Sequence, residues 1–346
     1  MIVRVDMLRE GWMIDKPIYS LSDVPIINTG KILTNEDIDI ISAFLINEVD
    51  VQINKNTNNS SAKEEKLAIS SIEFMDIYSE AIKKYKIHFS GWESGAAVNI
   101  VEFRKLLLPI IEYSNQDTIK KLVIPSITLK DEKDKIAHYS LLCTMISTMI
   151  ATKLKYPKGD VIQIGISAAL CNAGYAKYQF HALTQIKNDP EYKNYPMYSY
   201  RMVEKIQFLR DQMKIAILQH QERLDGSGFP LKLKAKFINE FASILGASTY
   251  YVTIVLDANH TQNDFQFIEH LKKECFGKFH PSVIETMSSL IIQYQLGDRV
   301  MLSNGVLGQI VYQSPTEITR PTIKVENSGM VIDLTKDRTL YIKELI

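Results

Sequence analysis

His220-Gln221-Glu222-Arg223-Leu224-Asp225-Gly226-Ser227-Gly228-Phe229-Pro230 is the stretch of this 346-residue chain whose reading decides the fold. An apolar helical run, Ile206 to His220, ends where it begins. Asp225, Gly226, Gly228 and Pro230 then supply the residue types that build tight turns. On composition alone this is a turn between two core helices, tied down by Glu222 with Arg223 or Asp225.

Helical periodicity surrounds it, from about residue 66 to residue 276. Between Ile136 and Leu154, the residues His138, Leu141, Leu142, Met145, Ile146, Met149 and Ile150 recur at three- and four-residue spacing, which predicts a core helix carrying His138 on its apolar face. Val161 to Cys171 predicts another. Leu106 to Ile111, interrupted by Pro109, reads as buried helix. Trp92, between Gly91 and Gly95, is expected in a loop.

The two ends differ in character. Residues 1–54 contain short β-branched runs around a predicted helix at 35–46. Residues 55–65 are rich in Asn, Ser and Lys and read as a linker. Beyond Leu296, the runs Val300 to Leu302, Gln309 to Tyr312, Thr322 to Val325 and Leu340 to Ile342 are separated by turn residues, which predicts a small β domain. The expected class is therefore mainly α, a helical bundle flanked by a small N-terminal α+β unit and a small C-terminal β domain. The boundaries are 1–54, 55–133 (linker and first helical part), 134–295 and 296–346.

Composition narrows the function. Lys and Arg balance Asp and Glu at 40 each, so no net charge draws the chain to nucleic acid or an anionic membrane. No apolar run approaches the length of a membrane span, and Met1 to Met13 lacks the apolar core of a signal peptide. Three unclustered cysteines, Cys143, Cys171 and Cys275, argue against a disulfide framework and fit a reducing cytoplasm.

The opening segment resembles the signature loop of HD-GYP domains, His-His-Glu-Arg-x-Asp-Gly-x-Gly-Tyr-Pro. Glu222, Arg223, Asp225, Gly226, Gly228 and Pro230 match it, Phe229 replaces Tyr, and Gln221 replaces the second His. The resemblance covers roughly residues 134–295. It implies an HD-type bundle and a role in bacterial cyclic di-GMP signalling, where the family's enzymes are metal-dependent phosphodiesterases. It also implies a set of metal-ligand positions. The opening His falls on His138. The His-Asp pair falls on Cys171 and Asn172, followed by Ala173, Gly174 and Tyr175. A later His falls on Tyr195, the His pair on His220 and Gln221, and a final Asp on Thr249. Only His138 and His220 keep their residue type.

The substitutions bear on chemistry. Divalent metals in such sites need imidazoles and carboxylates, and the metal-bound water is the nucleophile. Neither Asn172 nor Thr249 offers a carboxylate. The leading expectation is thus a degenerate site without cofactor, in a regulatory module that contacts a signalling protein through the signature loop or binds a cyclic dinucleotide without cleaving it. The alternative is a metal-dependent cyclic di-GMP phosphodiesterase with an unusual ligand set, holding iron, manganese or zinc through His138, Cys171 and His220. A further alternative gives the function to the flanking β units. Two plainer readings stay open beside these: His138 and Cys171 as core residues, and the signature loop as a turn only. Lys232, Lys234 and Lys236, alternating with Leu231, Leu233 and Ala235, read as a solvated edge, with phosphate binding as the alternative.

Overall fold

The computed structural model describes residues 2–5, 8, 10–19, 25–34, 37–38, 41, 46, 48–52, 71–114, 123–178, 190–257, 263–314 and 317–346. It divides into two compact units, residues 1–68 and 69–346.

In the first unit, β1 (Ile2–Arg4) and β2 (Met13–Ile14) flank β5 (Glu48–Gln52) in an antiparallel sheet of order β1-β5-β2. A separate hairpin joins β3 (Ile18–Tyr19) to β4 (Pro25–Ile27). Alternation along β5 turns Val49 and Val51 inward, onto a small core with Ile14, Leu33 and Ile41. Of the helix predicted at 35–46, Asp37, Ile38 and Ile41 are helical and most of the rest lies outside the described residues. Its start is capped reciprocally: the Asp37 carboxylate accepts from Thr34 N, and Thr34 Oγ1 accepts from Asp37 N. The linker predicted at 55–65 lies outside the described residues.

The second unit is a helical bundle running on into a sheet. Its helices are α1 (Ser71–Glu93), α2 (Ile100–Glu112), α3 (Glu132–Lys153), α4 (Lys158–Leu170), α5 (Tyr195–Val203), α6 (Asp211–Gln219), α7 (Glu240–Val255), α8 (Asp264–Glu274) and α9 (Pro281–Ile291). The axis of the bundle is α3, packed against α1, α2, α4, α7 and α9. Every residue from Ser140 to Ala151 is buried, as expected of a helix surrounded on all sides. Asp131 caps its start by accepting from Asp134 N. Gly165 lets α4 close on it, because a Cβ there would stand 2.6 Å from Thr148 Cγ2.

Trp92 is a correction to the sequence reading. It lies in the last turn of α1, 6% exposed, with its ring 5.6–5.9 Å from those of Tyr85, Phe89 and Phe103. The neighbouring glycines suggested a loop, but burial of this aromatic cluster outweighs their low helix propensity.

The C-terminal sheet is antiparallel, of order β10-β6-β7-β8-β9, from β6 (Arg299–Leu302), β7 (Leu307–Tyr312), β8 (Thr322–Val325), β9 (Val331–Asp333) and β10 (Ile342–Leu345). Val300, Leu302, Ile310, Ile323 and Ile342 join the hydrophobic core of the bundle. Two polar ties reinforce the junction. Asn263, which caps α8, donates through Nδ2 to the carbonyls of Ile342 and Lys343. The buried Arg320 grips both oxygens of Glu269 on α8 at 2.7 and 2.9 Å and also donates to Leu340 O. Removing the partly exposed Glu269 strands the buried charge of Arg320. Glu269→Ala is therefore expected to destabilise the chain by about 2–4 kcal/mol, read as a lower urea midpoint. A loss no larger than that of an exposed control, Glu285→Ala, would show that the junction does not depend on this pair.

Candidate functional site

The ligand positions implied by the signature loop are set by helix ends and faces. His138 lies on α3, Cys171 and Asn172 close α4, Tyr195 opens α5, His220 and Gln221 follow α6, and Thr249 is on α7. All but Gln221 are buried.

The structure brings Tyr195 and His220 into direct contact, with Tyr195 Oη 2.9 Å from His220 Nε2. The other ring nitrogen, Nδ1, is 2.7 Å from the carbonyl of Ile217. A carbonyl only accepts, so Nδ1 carries the proton and Nε2 is the lone-pair nitrogen. Tyr195 therefore donates to the one atom through which this imidazole could bind a metal. Burial pushes His220 down to about 4, with Arg223 adding to the fall and the Ile217 bond opposing it. Tyr195 is held by stacking on Tyr175, ring centroids 4.1 Å apart, and by packing with Tyr192 and Phe229.

His138 is engaged in a similar way. Its Nδ1 lies 3.0 Å from the hydroxyl of Tyr78 on α1. Burial lowers its pKa, the carboxylate of Asp134 pulls it back, and Lys86 depresses it further. Cys171 is fully buried, and burial raises its thiol well above the ordinary range, so it stays protonated. Thr249 turns its hydroxyl back to the carbonyl of Gly246 in its own helix. Asn172 is 1% exposed, and neither Oδ1 nor Nδ2 has a hydrogen-bond partner among the described residues.

This arrangement does not fit a metal centre. Among the described residues, no group of three or more His, Cys, Asp or Glu side chains is placed to hold a metal ion. The set His138, Cys171 and His220 considered from the sequence is not such a group. One imidazole is bonded to Tyr78, the other to Tyr195, and the thiol is neutral. Sequence reasoning missed Tyr78. It lies 60 residues before His138 in a helix without a motif, and its only signal is its place among the buried positions of α1.

The signature loop is built around Glu222. Its carboxylate points inward and accepts from Leu231 N at 2.6 Å and Leu233 N at 2.9 Å, so it is tied to backbone rather than to Arg223 or Asp225 as predicted. Asp225 closes the turn locally by accepting from the N and Oγ of Ser227. Gly228 allows the loop to fold back, since a Cβ there would stand 2.4 Å from Glu222 Cα and Arg223 N. Gln221 does not face the histidines' role as a ligand; its Oε1 accepts from Arg223 Nη2. Arg223 also donates to the carbonyls of His220 and Glu222 and lies 4.6 Å over the ring of Phe279.

Residues 122–273 match the HD domain family model. Over 144 residues the chain is 29% identical to the cyclic di-GMP phosphodiesterase PdeB of Borreliella burgdorferi, covering 41% of this chain and 38% of that protein. Over 206 residues it is 24% identical to the cyclic di-GMP phosphodiesterase PA4108 of Pseudomonas aeruginosa, covering 58% and 50% respectively. The chain thus spans half or less of the length of these curated relatives. The solved structure of Bd1817, an HDG"Y"P protein from Bdellovibrio bacteriovorus, is 15% identical with a TM-score of 0.48, covering 84% of this chain and 98% of that one. The matched residues 122–273 fall in the helical unit, and together with the signature loop the family model and the two curated relatives support an HD-GYP assignment.

Two outcomes follow from the site. His220 has a folded pKa near 4 against about 6.5 when unfolded, so its stabilising contribution is whole above about pH 6.5 and is lost as the pH falls through about 4. The loss amounts to roughly 3 kcal/mol. Urea midpoints measured from pH 7.5 to 4 should fall more steeply in the native chain than in His220→Gln; parallel profiles would sink this. Asn172→Leu should leave stability unchanged or raise it by about 1 kcal/mol, because it removes an unpaired buried amide. Asn172→Asp should cost about 3 kcal/mol or more by burying an unpaired carboxylate. Thermal unfolding of both variants checks the order, and a less stable leucine variant would contradict it.

Proposed function

We propose that this HD-GYP family member is a regulatory module of cyclic di-GMP signalling that works in the cytoplasm without metal-dependent cleavage. The observation that carries this reading is the hydrogen bond from Tyr195 to His220 Nε2, which spends the metal-binding lone pair of the best-kept ligand. The uncharged side chains of Asn172 and Thr249 support it. A phosphodiester is attacked effectively only by an activated water, and a neutral, hydrogen-bonded core offers no strong base to activate one. The names of the relatives support the cyclic dinucleotide context. The module acts by contact with a signalling protein, or by holding the nucleotide intact.

Protein purified without chelator should carry iron, manganese and zinc far below one ion per chain by elemental analysis. It should leave cyclic di-GMP intact when either iron or manganese is supplied. Near-stoichiometric metal that disappears in His138→Ala, together with turnover, would overturn the proposal.

A further inference from the structure

Arg223 is a partly buried cation whose hydrogen bonds among the described residues all go to neutral oxygens: the carbonyls of His220 and Glu222 and Oε1 of Gln221. Among the described residues no carboxylate pairs with it. The carboxylates of the same loop are committed elsewhere, Glu222 to backbone amides and Asp225 to Ser227. A buried charge without a counter-ion is costly, and burial does lower the pKa of this guanidinium. Arg223 also lines an open cleft of about 210 Å³ with Gln221, Phe229, Tyr250, Cys275 and Lys278. The one carboxylate on the cleft wall, Glu274, lies 4.0 Å from Lys273.

Beside the cleft runs a basic strap, residues 231–237. Its inward bonds come from alternate amides: Leu231 N and Leu233 N to Glu222, and Ala235 N to Leu224 O. Gln219 holds its end by donating to Phe237 O. The alternate residues Lys232, Lys234 and Lys236 are exposed, and no carboxylate pairs with them among the described residues. Phe237 is 61% exposed, with Lys236 Nζ 4.8 Å over its ring. The backbone of Leu224 links strap and cleft, since Leu224 N donates to Lys278 O.

We propose that this surface docks an acidic segment of a partner protein. One partner carboxylate enters the cleft to become the missing counter-ion of Arg223, and further acidic residues lie along the lysines. The inference rests on the proposed regulatory role and names the chemistry of its partner. A protein segment fits better than a lipid surface because the strap is fixed by side-chain and backbone bonds, and the cleft has the size of a single side chain. Fixed partners around a small pocket favour a shaped ligand, and the flanking charges would steer its approach.

The test uses the full chain and a fluorescein-labelled Glu-rich peptide, with a Gln-rich peptide of equal length as control. Fluorescence anisotropy should show binding of the Glu-rich peptide alone, weakening as salt is raised. Combined Lys232→Gln, Lys234→Gln and Lys236→Gln should reduce affinity at least about tenfold, and Lys278→Gln should reduce it separately. Removing the same number of charges elsewhere, as Lys83→Gln, Lys84→Gln and Lys105→Gln, should change it less than about twofold. Equal loss in both sets would overturn the inference, as would equal binding of both peptides or absence of binding. Strap-dependent binding to vesicles of phosphatidylglycerol and phosphatidylcholine, or to a single-stranded oligonucleotide, that the peptide does not compete would also overturn it. Metal content and cyclic di-GMP turnover, measured on the same preparations, report on the regulatory reading independently of these results.

Discussion

An imidazole buried without charge can satisfy only one donor and one acceptor, and His220 has filled both. Its N–H goes to Ile217 O and its lone pair takes the proton of Tyr195. Much around it follows from that pair. Tyr195 must reach the ring, so α5 begins against the end of α6, and Tyr175 stacks on Tyr195 to hold its angle. The N–H to carbonyl bond is the same contact that orients a metal-binding His towards its ion. Here the ion's direction is taken by a phenol, so the orienting half of the arrangement is present while its target is a hydrogen-bond donor.

The residues at the other positions are consistent with one electrostatic condition. A metal cluster tolerates buried carboxylates because the cations neutralise them. Without cations, each carboxylate in the same place would be a stranded charge. Asn172, Thr249, Tyr195 and Gln221 are all uncharged, and Cys171 is kept as the thiol by burial. Once one anion is absent, replacing the next is favourable rather than damaging. The condition is met unevenly: Thr249 finds a carbonyl in its own helix, whereas the Asn172 amide finds none.

The sequence made the bundle legible through its periodicity, and the signature loop pointed to the kind of bundle that the family model also matches. Ile136 to Leu154 forms the central helix within a few residues of the predicted limits because apolar residues mark its faces. Trp92 misled, since Gly91 and Gly95 are local signals whereas the aromatic cluster that holds the tryptophan draws on residues of two helices. Strand β9 was not foreseen, for Val331–Asp333 is a short edge strand with little alternation to read. At the site, the resemblance assigned Tyr195 and His220 to separate ligand positions without foreseeing their hydrogen bond, and it gave no sign of Tyr78 beside His138, because a long-range hydrogen bond leaves no spacing rule behind. Residue types alone suggested the set His138, Cys171 and His220; the hydrogen bonds that engage the two imidazoles, to Tyr78 and Tyr195, were not readable from spacing.

The signature loop takes its shape chiefly from Glu222. Its two oxygens hold Leu231 N and Leu233 N, bonds that owe nothing to a metal. A carboxylate accepting backbone amides is a strong, short-range anchor, so Glu222 pins the lysine strap to the loop. Arg223 is carried along by the same fold-back, resting on Phe279 with neutral oxygens around it. The loop is thus pinned from its own side by Glu222, while Arg223 and Phe229 tie it to the carbonyl of His220 and the ring of Tyr195 beneath.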